Sequence, residues 1–281
     1  MKKRLAGLAA LLLLAGCFPP EWGANAILHP WRKPLTQKPR RPYQNLSFRG
    51  EGGILLKGWL IRSPAPRRGL LVYLHGIGDN RGSGLGLSER LVPQGWDLLL
   101  YDSRAQGESE GEACTYGYFE KGDLSKALDA VGAGSAVLFG SSLGASVALQ
   151  AASVEPRVRG VIAQSAFSDL KTVARERAPF FASRSDVEKA LALAEAAGHF
   201  PVGEASPQQA APKVRVPVLL LHGASDRDTP AAHSQRIYEV LPGPKQLILV
   251  PGAGHNDALA GEQTWRAIEA WLSSLPADLG S

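Results

Sequence analysis

A serine becomes chemically useful when the backbone presents it at a sharp corner and a neighbouring base can take its proton. Residues 137–146, Val-Leu-Phe-Gly-Ser-Ser-Leu-Gly-Ala-Ser, offer such a corner. Within them Gly140-Ser141-Ser142-Leu143-Gly144 fits the pattern G-x-S-x-G, with Ser142 at its centre, after a short apolar run and before alanine-rich sequence of helical character. Small flanking residues let the chain crowd a strand-to-helix turn, which pushes the central side chain out over the sheet edge. Ser142 is thus the candidate nucleophile, and Ser141 a small spacer where nothing larger fits. Taken alone, the pentapeptide also fits a glycine-rich turn with no catalytic part.

The base needs a carboxylate to fix its tautomer. Residues 219–230, Leu-Leu-Leu-His-Gly-Ala-Ser-Asp-Arg-Asp-Thr-Pro, place Asp226 and Asp228 just beyond an apolar run, and residues 247–255 end another run at His255. Either aspartate is a candidate acid. Asp257 follows His255 closely and reads as a loop residue, while His29, His199, His222 and His233 show no partners of this kind. No spacing of Cys, His and carboxylates suggests a metal, no phosphate-cradling loop precedes a helix, and no cofactor is expected.

Residues 69–76, 96–102, 136–142, 159–165, 217–223 and 245–252 read as strands buried on both faces, preceded by an antiparallel hairpin of residues 46–49 and 54–61. Between them, residues 85–92, 123–131, 143–153, 231–241 and 264–274 carry helical periodicity. This rhythm predicts an α/β fold with helices on both faces of a mostly parallel sheet, where ligands sit at the carboxyl ends of the strands. A proline-bracketed helical insertion at residues 168–216 reads as a small cap. Its Phe180, Phe181 and Phe200 would form either an apolar wall of the site or the cap's own core.

Residues 45–275 resemble the α/β-hydrolase superfamily, in particular its serine-esterase and aminopeptidase-like branch. Five motifs in order carry the resemblance: His75-Gly76-Ile77-Gly78, Asp102 with Gly107 and Ser109, the serine turn, Asp226 with Pro230, and Gly254-His255. The resemblance implies an eight-stranded, mostly parallel sheet with a small helical cap, and a triad of Ser142, Asp226 and His255 in the chain order Ser, Asp, His. It favours Asp226 over Asp228 because only Asp226 has the expected spacing to Pro230. It also implies an oxyanion hole made by the amides of Ile77 and Leu143, with structural roles for His75 and for the loop of Asp102, Arg104 and Ser109.

The start of the chain is of a different kind. Met1-Lys2-Lys3-Arg4 is a positive segment, residues 5–14 are an apolar run too short to span a bilayer, and Leu14-Ala15-Gly16-Cys17 resembles the lipobox of bacterial lipoproteins. That resemblance implies a signal peptide of residues 1–16, lipid on Cys17 and a place in the bacterial cell envelope, facing outside the cytoplasm; an uncleaved apolar anchor is the alternative. Residues 17–44 read as a basic, proline-rich tether, either laid on anionic headgroups or solvated, and residues 45–281 as the hydrolase domain. Lys2, Lys3, Arg4, Arg32, Lys33, Lys38, Arg40 and Arg41 face only Glu21 in the first 42 residues, a surplus larger than the whole-chain net charge of +5. The remainder is therefore slightly acidic, with no basic patch for nucleic acid. With Cys17 lipidated, Cys114 has no disulfide partner and reads as a bystander thiol.

The expected function is a membrane-tethered serine hydrolase that cleaves carboxylic esters through an acyl-enzyme, with thioester or peptide cleavage as alternatives on the same machinery. A lipid-anchored binding protein on the same fold is the non-enzymatic alternative. The sequence assigns no oligomeric state.

Overall fold

In a computed structural model that describes residues 19–276, the apolar runs form a single eight-stranded sheet. Its strands are β1 (Gln44–Arg49), β2 (Leu55–Ile61), β3 (Gly69–Leu74), β4 (Trp96–Tyr101), β5 (Ala136–Ser141), β6 (Val158–Gln164), β7 (Val218–Gly223) and β8 (Lys245–Val250). Their spatial order is β1-β2-β4-β3-β5-β6-β7-β8. The β1–β2 and β2–β4 pairs are antiparallel and all the others parallel.

Two cores follow from the two faces of the pleat. Leu70, Val72, Leu74 and Leu138 pack on one face, against α3 (Glu120–Ala130) and α4 (Leu143–Ala152). Leu71, Tyr73, Val137 and Phe139 pack on the other, against α2 (Leu85–Leu91) and the last helix, Glu262–Ser274. That helix buries Trp265, Ile268, Trp271 and Leu272, a stripe at helical spacing. The central strands β3, β4 and β7 are buried along their whole length, and β5 up to the half-buried Ser141, as their continuous apolar runs require. The eighth strand differs from its expected burial. It lies at the sheet edge with only one neighbour, so Leu249 is exposed.

The insertion folds as α5 (Leu170–Glu176), α6 (Arg184–Gly198) and a short α7 (Pro207–Ala210). Asp169 caps α5, and Ser183 with Asp186 forms a capping box on α6. The phenylalanines divide: Phe200 is buried with the core at 2% exposure, whereas Phe180 stands 96% exposed. Beyond the cap come α8 (Ala232–Val240) and α9 (Glu262–Ser274).

Residues 19–44 are not the detached tether that proline and charge suggest. They open with α1 (Pro20–Leu28), which buries Ala24 and Leu28 against the body. The Cys114 amide donates to Leu28 O at 2.8 Å, Tyr116 Oη to Ile27 O at 3.0 Å and Arg32 to Gly111 O at 2.8 Å. Lys33 pairs with Asp79 at 2.9 Å. Two of the cations expected for headgroups are thus spent on the protein itself. The signal segment and Cys17 lie outside the described residues. Among the described residues no helix is long and apolar enough to cross a membrane.

Candidate active site

The strand-to-helix corner between β5 and α4 is as tight as its glycines imply. A Cβ on Gly140 would sit 2.3 Å from Gly144 O, and one on Gly144 would sit 1.9 Å from Leu74 O. Ser142 between them takes φ 49° and ψ −109°, a strained conformation for a residue with a side chain. Its amide donates to Gln164 O at 2.8 Å, which ties the corner to β6.

That corner faces two other strand ends. His255 Nε2 lies 2.9 Å from Ser142 Oγ, and His255 Nδ1–H donates to Asp226 Oδ2 at 2.7 Å. The other carboxylate oxygen, Asp226 Oδ1, accepts the amides of Asp228 and Thr229, both at 2.9 Å. The geometry therefore puts Asp226, not Asp228, on the histidine. Asp257 accepts the Gly254 amide at 3.2 Å and is a loop residue. With Nδ1 donating, Nε2 is left to accept the Ser142 hydroxyl proton.

The loop after β3 carries Ile77 beside this group, and the Gly78 amide donates to Gln106 Oε1 at 2.6 Å, which fixes the loop. Among the described residues neither the Ile77 nor the Leu143 amide has a protein acceptor. His75 is fully buried; burial pushes its imidazole below the usual range, and its Nε2 accepts the Ser103 amide at 3.0 Å. Asp102 holds the Glu108 amide at 2.8 Å and the Arg81 guanidinium, so that loop is structural. Cys114 is buried with its thiol pushed well up by burial. No metal-binding cluster occurs among the described residues.

Several residues of the site were not legible in the sequence. His222 is fully buried, its Nε2 2.7 Å from Thr229 O and 3.2 Å from Asp226 Oδ2, with Ser234 Oγ 2.7 Å from Nδ1. Burial pushes its imidazole down, so it supports Asp226 as a neutral neighbour. Its signal was the break of an apolar run four residues before an aspartate. Ser165 Oγ donates to His255 O at 3.0 Å and holds the histidine loop. His233, also fully buried, accepts the Ser168 amide at Nδ1 (3.0 Å) and meets Glu176 at Nε2 (2.6 Å), which clasps the cap to α8.

Ser142 and His255 open into a cleft of about 690 Å³ that is also lined by Trp31, Lys33, Asp79, Arg177 and Arg227. The cleft is polar and open to solvent, and residues 19–44 supply part of one wall.

Residues 69–193 match the family model described as alpha/beta hydrolase fold. The chain is 30% identical over 232 residues to the uncharacterized protein Rv2307c of Mycobacterium tuberculosis, covering 79% of this chain and 76% of that one. The chain belongs to the alpha/beta hydrolase fold family. It is also 28% identical over 229 residues to the uncharacterized protein YfhR of Escherichia coli K12, covering 77% of this chain and 75% of that protein. Among solved structures, an esterase of Pyrococcus furiosus superposes with a TM-score of 0.71 at 21% identity, covering 88% of this chain and 97% of that one. A thermophilic esterase from Thermogutta terrifontis superposes with a TM-score of 0.61 at 21% identity, covering 82% and 98%. As a family member the chain has the fold that its sequence predicts.

Proposed function

We propose that this protein is a serine hydrolase that cleaves carboxylic esters, held at a bacterial envelope membrane by lipid on Cys17. The observation that carries the catalytic reading is the unbroken path from Asp226 through His255 to Ser142, at 2.7 and 2.9 Å, on the floor of an open cleft. Ser142 Oγ attacks the ester carbonyl carbon as its proton passes to His255 Nε2. The carbonyl oxygen gains charge facing the Ile77 and Leu143 amides, where loss of one such donor costs about 3 kcal/mol of barrier. The carbon–oxygen bond then breaks, the alcohol leaves with the proton from His255, and water repeats the sequence to free the acid. Asp226 stays ionised throughout, orienting the imidazole and stabilising its charged form.

Esters are preferred to thioesters and amides because two proteins of similar fold are named esterases. The test sets p-nitrophenyl esters, acyl thioesters and aminoacyl anilides before the purified protein and its Ser142→Ala variant. Ester turnover that disappears in Ser142→Ala is expected. Binding without turnover of any of the three would favour a binding protein, and turnover confined to anilides a peptidase.

A further inference from the structure

A second cavity adjoins the catalytic cleft. It is an apolar pocket of about 250 Å³ that shares Ile77 and Arg177 with the cleft. The pocket is open to solvent at its rim, where Ala26 and Pro179 are exposed, and it has room because the residues that meet there are small: Gly23 and Ala26 on α1, Ala174 on α5 and Ala190 on α6. The polar groups at its wall are already engaged. Tyr116 Oη donates to Ile27 O at 3.0 Å, and Arg177 donates to Asp228 O at 3.0 Å and to Thr229 Oγ1 at 2.6 Å. A pocket whose lining is mainly Gly, Ala, Ile, Leu, Val and Pro suits hydrocarbon rather than a polar ligand.

We propose that this pocket receives the acyl chain of the substrate, which makes the protein selective for medium-chain acyl esters. The inference rests on Ser142 as the nucleophile and Ile77 as an oxyanion donor. Ile77 lines both the apolar pocket and the polar cleft of Lys33, Asp79 and Arg227, so a carbonyl held by its amide lies where the two meet. The acyl chain takes the first and the alcohol leaves through the second. An apolar cavity of about 150 Å³ holds benzene, so by proportion this pocket holds about ten carbon atoms. One wall of the pocket comes from α1, so chain-length selection is built by the segment that precedes the hydrolase fold itself.

The test is a chain-length series on the whole purified protein: p-nitrophenyl acetate, butyrate, octanoate and palmitate. Each methylene buried is worth about a fourfold gain, so the four that separate octanoate from butyrate should raise kcat/KM by roughly 250-fold, with no further rise at palmitate. Ala26→Leu and Ala174→Leu fill the pocket and should lower the octanoate-to-acetate ratio by more than about tenfold. Turnover of acetate by the same preparation shows that a variant is folded, and Ala26, at an exposed helix position, is the substitution least able to disturb the core. A flat wild-type series, ratios unchanged in both variants, or a length dependence seen with alkyl acetates instead would overturn the acyl assignment. Loss of the underlying reading looks different: no ester is hydrolysed at all, or hydrolysis survives Ser142→Ala.

Discussion

Mild acid perturbs this fold through His75, His222 and His233, all fully buried and all held below the ordinary imidazole value by burial. For His75 and His233 an added proton has no place in the hydrogen bonds, because a backbone amide already donates to one ring nitrogen of each. The Ser103 amide donates into His75 Nε2 and the Ser168 amide into His233 Nδ1, each at 3.0 Å, and Arg236 also faces His233 Nδ1 at 2.8 Å. Carboxylates oppose the shift in part, with Glu176 2.6 Å from His233 and Asp226 3.2 Å from His222. In the unfolded chain each imidazole titrates near about 6.5. The folded values lie lower, so the unfolded state binds more protons in mild acid; the stabilisation is complete above about pH 6.5 and is lost as pH falls below it. Each histidine contributes a slope of up to about 1.4 kcal/mol per pH unit. Together they remove up to about 4 kcal/mol between roughly pH 7.5 and pH 5.5. Urea unfolding followed by tryptophan fluorescence at the two pH values measures the loss, and His233→Gln should remove about a third of it. A midpoint that does not move with pH would refute the neutral burial of these histidines.

Further substitutions test the site and its location. Asp226→Asn should leave thermal unfolding near the wild-type value but lower kcat by about 10⁴-fold, because the amide favours the wrong histidine tautomer; Asp228→Asn should cost less than about tenfold, and reversed results in steady-state assays would assign the acid to Asp228. Gly144→Ala forces a methyl against the Leu74 carbonyl, so it should destabilise the fold by about 1–3 kcal/mol or more in denaturant titrations and abolish turnover with it. Cys17→Ser should move the protein from the membrane to the soluble fraction or leave it unprocessed, while turnover by the folded body persists; a processed membrane-bound variant would exclude lipidation at Cys17.

The strands were legible because β3, β4, β5 and β7 are continuous apolar runs that only a sheet covered on both faces can bury. The corner at Ser142 was legible for a similar reason: Gly140 and Gly144 have no room for a Cβ, so the sequence had little freedom there. Edge position was not encoded in residues 247–250 of β8, a Leu-Ile-Leu-Val run as apolar as those of the buried strands. The docking of residues 19–44 was hidden because its partners are distant in sequence. Leu28 reaches the Cys114 amide and Lys33 reaches Asp79, contacts that composition cannot announce. His222 was missed because its partners, Thr229 O and Asp226, meet it only once the loop after β7 has folded back.

The paired serines give the most direct test of the catalytic account. Ser141 and Ser142 both line the cleft, yet only Ser142 Oγ lies in reach of His255, at 2.9 Å. A fluorophosphonate probe followed by peptide mass spectrometry should find the label on Ser142. Ser142→Ala should abolish labelling and lower ester turnover by several orders of magnitude, leaving what the oxyanion amides and binding supply, whereas Ser141→Ala should still be labelled and still turn over. Labelling that persists in Ser142→Ala, or that resides on Ser141, would contradict the account.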